Sequence, residues 1–160
     1  TNKKVEDLTG EEFDRTNHIN ITGSFLLARR SAEEMKNGGS IIMYSSMYGI
    51  LAPNPASYPT HLNPNPINYG AGKAAIIQIV KYLAGYYGNR NIRVNAVAPG
   101  AFPWESQQEQ EFIQKLSEKA MLGRIGLREE TAGAVVFLAS DEASFITGEV
   151  ISIDGGVNAW

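Results

Sequence analysis

Tyr69 and Lys73 stand four residues apart in YGAGKAAI, residues 69 to 76, where a helical stretch opens. At that spacing two side chains share one helix face, so an ammonium can lie beside a phenol. The chemistry this permits is proton exchange. A nearby cation stabilises phenolate, lowers the tyrosine pKa and lets the hydroxyl exchange a proton with a substrate oxygen nearer neutral pH. The spacing alone is a weak signal, because a bland surface pair looks the same. Its setting adds weight: Gly70, Ala71, Gly72, Ala74 and Ala75 surround the lysine, and small residues let a second backbone or a ligand approach closely. Upstream, Ser46 ends the apolar run of GSIIMYSS and would emerge at a sheet end, as a reactive hydroxyl or simply as a cap for the strand end.

These groups need a scaffold, and the sequence predicts one. Thr9-Gly10-Glu11-Glu12 has the form of a capping box, followed by a helix from about 10 to 36 that stops at Asn37-Gly38-Gly39. Ser40 to Tyr44 reads as a buried strand leading to Ser45-Ser46. Five of the seven prolines fall between 50 and 68, which makes that segment a long loop. Helical periodicity returns from Tyr69 to Tyr87 and ends at Gly88-Asn89, and Ile92 to Val97 forms a β-type run closed by Pro99-Gly100. A polar surface helix or lid over 105–121, a helix over Thr131 to Ala139 and a last strand, Val150 to Ile153, complete the order. The alternation of helix and strand predicts a parallel α/β sheet, whose carboxyl edge is where such sheets bind ligands.

Composition narrows the function. The chain has 160 residues, enough for one domain, with 43% hydrophobic and 19% charged residues, as in ordinary globular proteins. A net charge of -3 and scattered basic residues give no footprint for nucleic acid or anionic membrane. With no cysteine, a disulfide framework, a thiolate nucleophile and a Cys-ligated metal are excluded. No metal site is expected. No apolar run reaches the ~18 residues of a membrane span and the first residues lack a signal core, so the expected location is the cytoplasm.

The ordered motifs HINITGSF, GSII with SS and YG, YxxxK, IRVNAVAPG and TGEVISIDGG resemble the short-chain dehydrogenase/reductase family across almost the whole chain. The resemblance implies a Rossmann-like, doubly wound parallel sheet and hydride transfer between NAD or NADP and an alcohol or carbonyl substrate. Position by position it implies Tyr69 as acid/base, Ser46 holding the substrate oxygen, and Lys73 binding the nicotinamide ribose while depressing the Tyr69 pKa. Asn20 matches the family's helical asparagine. It lies seven residues from both Phe13 and Leu27 on an apolar stripe, where an unsatisfied amide is costly; a water linked to Lys73, or a bond to adjacent backbone, would satisfy it. Pro99, Gly100 and Phe102 match the turn at the nicotinamide end. A homo-oligomer, tetramer or dimer, is a further implication, with Trp160 a candidate for burial against a neighbour.

The chain also departs from the family pattern. It contains no Gly-rich turn for the cofactor pyrophosphate and none of the second-strand residues that choose NAD or NADP, and it lacks an initiating Met. It therefore reads as a single partial domain over 1–160, truncated at the N-terminus. The alternative function is a non-catalytic, oligomerising fragment that binds no cofactor. Ser46 and Tyr69 are 23 residues apart, an unusually long connection, so the loop is expected to wall the substrate pocket. Tyr48, Tyr58, His61 and Asn65 become candidate substrate contacts, as does Trp104, where relatives often carry a threonine. Gln107, Gln108 and Gln110 favour a polar substrate such as a sugar or hydroxy acid.

Overall fold

The computed structural model describes residues 3–103 and 108–160. Thr9 accepts from the Glu12 amide at 3.3 Å while the Glu12 carboxylate takes the Thr9 amide at 3.1 Å, so the capping box starts α1 (Gly10–Asn17). The chain then passes through a π-helical stretch, His18–Gly23, into α2 (Ser24–Glu34). The helix expected over 10–36 is thus continuous but not regular. A π-turn widens it around Asn20, and such insertions commonly mark functional positions.

Three strands follow: β1 (Gly39–Tyr44), β2 (Ile92–Pro99) and β3 (Val150–Ile153), parallel and in the spatial order β1-β2-β3. The central strand is buried on both faces, which explains its nearly continuous apolar sequence. Because strand side chains alternate, Ile41, Met43, Val94 and Ala96 face α3 (Ile67–Tyr87) together with Val80 and Leu83. Val97 and Ile42 face the opposite layer, α5 (Glu130–Ala139), with Leu138. Helices on both faces of a parallel sheet make this the expected Rossmann-like α/β architecture.

Two polar side chains on the α5 side of β2 are consumed by structure. Asn95, fully buried, donates to the Ile146 carbonyl at 2.9 Å and accepts from the Glu149 amide at 3.0 Å. Arg93 donates to the carbonyls of Leu138 and Ser140 at the end of α5, where a cation also complements the helix dipole.

Some boundaries differ from the sequence expectation. The helix α3 does end at Tyr87 before Gly88, and after one further turn, Gly88–Arg90, the chain reverses at Asn91 in the left-handed conformation (φ 56°). Asparagine tolerates that region better than most residues. Of the helix expected over 105–121 as a lid, the structure shows α4 over Gln110–Ser117, and positions 104–107 lie outside the described residues. Beyond Ser117 the backbone turns away from helix because Leu122 donates to the Gly155 carbonyl at 3.2 Å, holding residues 120 to 122 against the Gly155-Gly156 turn. Among the described residues no helix is long and apolar enough to cross a membrane.

Candidate active site

Parallel strands bring all three carboxyl ends to one edge of the sheet. There β1 leads into Ser45-Ser46 and β2 into Gly100; the amides of Ser45 and Gly100 extend the ladder to Val97 and Ile153, both at 2.9 Å. A cavity of about 680 Å³ opens at this edge, lined by Ser46, Tyr48, Tyr69, Gly100 and Phe102 among others. The Ser46, Tyr48 and Tyr69 hydroxyls and the turn after β2, far apart in sequence, thus share one space.

Tyr69 occupies the first turn of α3 and Lys73 the next. The Lys73 Nζ lies 5.7 Å from the Tyr69 ring centroid and donates to the Tyr44 carbonyl at the end of β1, at 2.9 Å. Its pKa is lowered by burial. That bond uses one of three ammonium protons and aims the cation past the phenol. Ser46 Oγ is buried and accepts from the Tyr48 amide at 3.2 Å, so its own proton remains for a substrate oxygen. The Ser46 side chain therefore does cap the turn at the strand end, without losing its capacity to donate.

Close packing fixes the two halves of the site. Ser45 Oγ donates to the Lys73 carbonyl at 2.8 Å, and a Cβ on Gly49 would lie 2.8 Å from that same carbonyl oxygen. The serine turn is pinned to α3 at the lysine. Asn20 sits behind α3 and does not line the cavity. Its amide donates to the Thr16 carbonyl at 3.1 Å, so adjacent backbone satisfies its donor.

Sequence reading missed two polar residues. Asn68, buried, donates to Thr16 Oγ1 at 2.9 Å and accepts from the Tyr69 amide at 3.1 Å, while Thr16 donates to the Glu12 carbonyl at 3.0 Å. This chain ties α1 to the backbone of Tyr69. The available signals were adjacency of Asn68 to Tyr69 and the position of Thr16 one turn before Asn20.

The loop behaves largely as a wall. Tyr58 is buried, its hydroxyl 2.7 Å from that of Tyr48, and its ring lies 5.5 Å from Phe112 of α4. Both tyrosines and Asn65 line the cavity. His61 does not: its exposed ring pairs with Glu109 at 3.1 Å, joining loop to lid at the rim. The carboxylate beside it offers a charged partner in water that the cavity does not. Gln108 lines the cavity, Gln110 is the exposed first residue of α4 and does not line it, and Trp104 and Gln107 fall outside the described residues. Trp160 is exposed, its indole donating to the Lys119 carbonyl at 3.1 Å.

A parallel α/β sheet with hydroxyls, a helical YxxxK pair and a Pro-Gly turn at its carboxyl edge defines a class, and comparison with known proteins agrees. Residues 1–158 match the family model described as enoyl-(acyl carrier protein) reductase. The chain belongs to the short-chain dehydrogenase/reductase family. It is 39% identical over 153 residues to a 3-oxoacyl-(acyl-carrier-protein) reductase of Thermotoga maritima, covering 92% of this chain and 57% of that protein. Among solved structures it resembles a short-chain dehydrogenase from Leptospira borgpetersenii with bound NAD+, at TM-score 0.90 and 35% identity, over 99% of this chain and 61% of that one. It also resembles 4-hydroxyisoleucine dehydrogenase complexed with NADH, at TM-score 0.85 and 29% identity, over 100% of this chain and 65% of that one. The chain thus spans about three fifths of the length of these relatives.

Proposed function

We propose that this chain supplies the catalytic groups of an NAD(P)-dependent oxidoreductase that interconverts an alcohol and a carbonyl. The observation that carries the reading is the shared cavity: Ser46, Tyr69 and the turn at Gly100 and Phe102 line one space, with the Lys73 ammonium beside the Tyr69 ring.

The donor set fits the nicotinamide-ribose end of such a cofactor. Lys73 has protons beyond the one given to Tyr44 for a ribose hydroxyl, and the Pro99 to Phe102 turn offers backbone and an apolar ring to a flat heterocycle. Bound there, the cofactor would accept or deliver a hydride. Ser46 would donate to the substrate oxygen and hold it. Tyr69 would take the alcohol proton or return it, and the Lys73 charge would stabilise the phenolate formed. Asn68 and Thr16 would position Tyr69 through its backbone. Asn20 would act from behind α3, packed on Gly72, rather than on substrate.

Titration of the protein with NADH and NADPH, followed by nicotinamide fluorescence, tests the cofactor half of this reading. Saturable binding, together with alcohol-dependent reduction of NAD or NADP, is expected. A folded full-length protein that binds neither nucleotide would overturn it.

A further inference from the structure

The cavity wall has a chemical character that the proton chemistry does not use. Among the described residues no charged side chain lines it. Lys73 lies outside the lining with its ammonium on the Tyr44 carbonyl, and the His61–Glu109 pair stands at the solvent rim. The polar lining is neutral and, besides Ser46 and Tyr69, includes the phenols Tyr48 and Tyr58 and the amides Asn65 and Gln108. Apolar residues, among them Met47, Leu62, Phe102, Phe112 and Leu116, make up the rest.

The phenol pair is a built recognition element. At 2.7 Å one hydroxyl donates to the other, which leaves the acceptor's proton and the donor's lone pairs for a ligand. The pair is held from both ends. The backbone of Tyr48 is bound to Ser46 Oγ, and the Tyr58 ring packs on Phe112. Its second hydrogen bond is therefore presented at a fixed place relative to the serine that would hold the reacting oxygen. Burial and the neighbouring Tyr58 raise the pKa of Tyr48, so the Tyr48 phenol stays uncharged at neutral pH.

Among the described lining residues an anion would find no cation to offset the water it loses, which is disfavoured. A plain acyl chain would leave the phenols and amides facing apolar atoms, the situation in which a polar site rejects an analogue lacking the matching group. Building on the oxidoreductase reading, we infer that the substrate is an uncharged polyhydroxylated alcohol or its carbonyl, sugar-like or polyol-like, whose second hydroxyl is held by the Tyr48–Tyr58 pair. The cavity, about 680 Å³ including the part beside the Gly100 turn, has the size of ordinary small-molecule sites.

The test uses the full-length protein and follows the absorbance of the reduced nicotinamide ring. Neutral sugars and polyols are compared with sugar acids and sugar phosphates of equal carbon number, and with 3-oxoacyl thioesters assayed in the reducing direction. Neutral polyols are expected to lead the charged series in kcat/KM by on the order of 100-fold. Tyr58→Phe, which keeps the ring on Phe112, is expected to lower the ratio of kcat/KM for a polyol over that for the matching mono-alcohol about tenfold, the loss of one well-placed hydrogen bond. Tyr48→Phe should lower the same ratio, and serves if Tyr58→Phe does not fold. Equal or better turnover of the acids, phosphates or acyl thioesters overturns the inference while leaving the oxidoreductase reading intact, as does a ratio unmoved in both variants. Hydride transfer to or from none of these compounds overturns the inference, and the oxidoreductase reading falls with it if neither NADH nor NADPH binds.

Discussion

Gly72 and Asn20 meet where there is no room for a side chain: a Cβ on Gly72 would lie 3.2 Å from that of Asn20 and 2.8 Å from Asn17 Oδ1. The residue before Lys73 thus seats α3 directly on the π-helical stretch. Gly72→Ala is expected to cost a net 1–2 kcal/mol or about that much, overpacking outweighing the better helix propensity of alanine. Gly85, in the same helix with open space around it, is the control: Gly85→Ala should stabilise by about 0.5–1 kcal/mol. Thermal or urea unfolding of the two variants gives the comparison, and opposite signs are expected.

Lys73→Met should reduce turnover on the order of 100-fold and weaken nicotinamide binding, because it removes the charge beside Tyr69 and the donor to a ribose. Lys73→Arg should not restore activity, since a planar fork cannot replace a point charge bound to the Tyr44 carbonyl at 2.9 Å. Separate cofactor titration and steady-state kinetics distinguish the two losses.

The Tyr48 phenol is held above its ordinary pKa, chiefly by burial and then by Tyr58. Its raised value means that the folded state binds this proton more tightly than the unfolded chain. The associated stability is fully present below the unfolded value of about 10 and is lost as pH rises beyond it. Unfolding measured from pH 8 to 11 should show a decline above about pH 10 that is shallower in Tyr48→Phe.

Glu109→Gln should barely change stability. The His61–Glu109 pair is exposed on both sides, 55% and 57%, and exposed pairs contribute less than about 1 kcal/mol. A larger loss on chemical unfolding would mean that loop and lid depend on this contact.

Much of this was legible in the sequence because it depends on local signals. The Thr9–Glu12 box, the β-type run that becomes β2 and the helical spacing of Tyr69 and Lys73 follow from short-range pattern. What escaped was long-range. The π-turn at Asn20 arises where two helices pack around Gly72, and nothing in HINITG taken alone specifies it. The Thr16–Asn68 link joins residues 52 apart. His61 resembled a pocket residue because the loop was expected to wall the cavity, but a carboxylate 48 positions away, at Glu109, draws it to the rim.

The most direct test of the account is Tyr69→Phe in the full-length protein, with turnover and NAD(P)H binding measured on the same preparation. Loss of general acid-base catalysis predicts a fall in kcat of about 10²–10⁴-fold with cofactor affinity nearly unchanged. Turnover at the wild-type rate would contradict the role given to Tyr69 and, with it, the assignment of this cavity as the catalytic site.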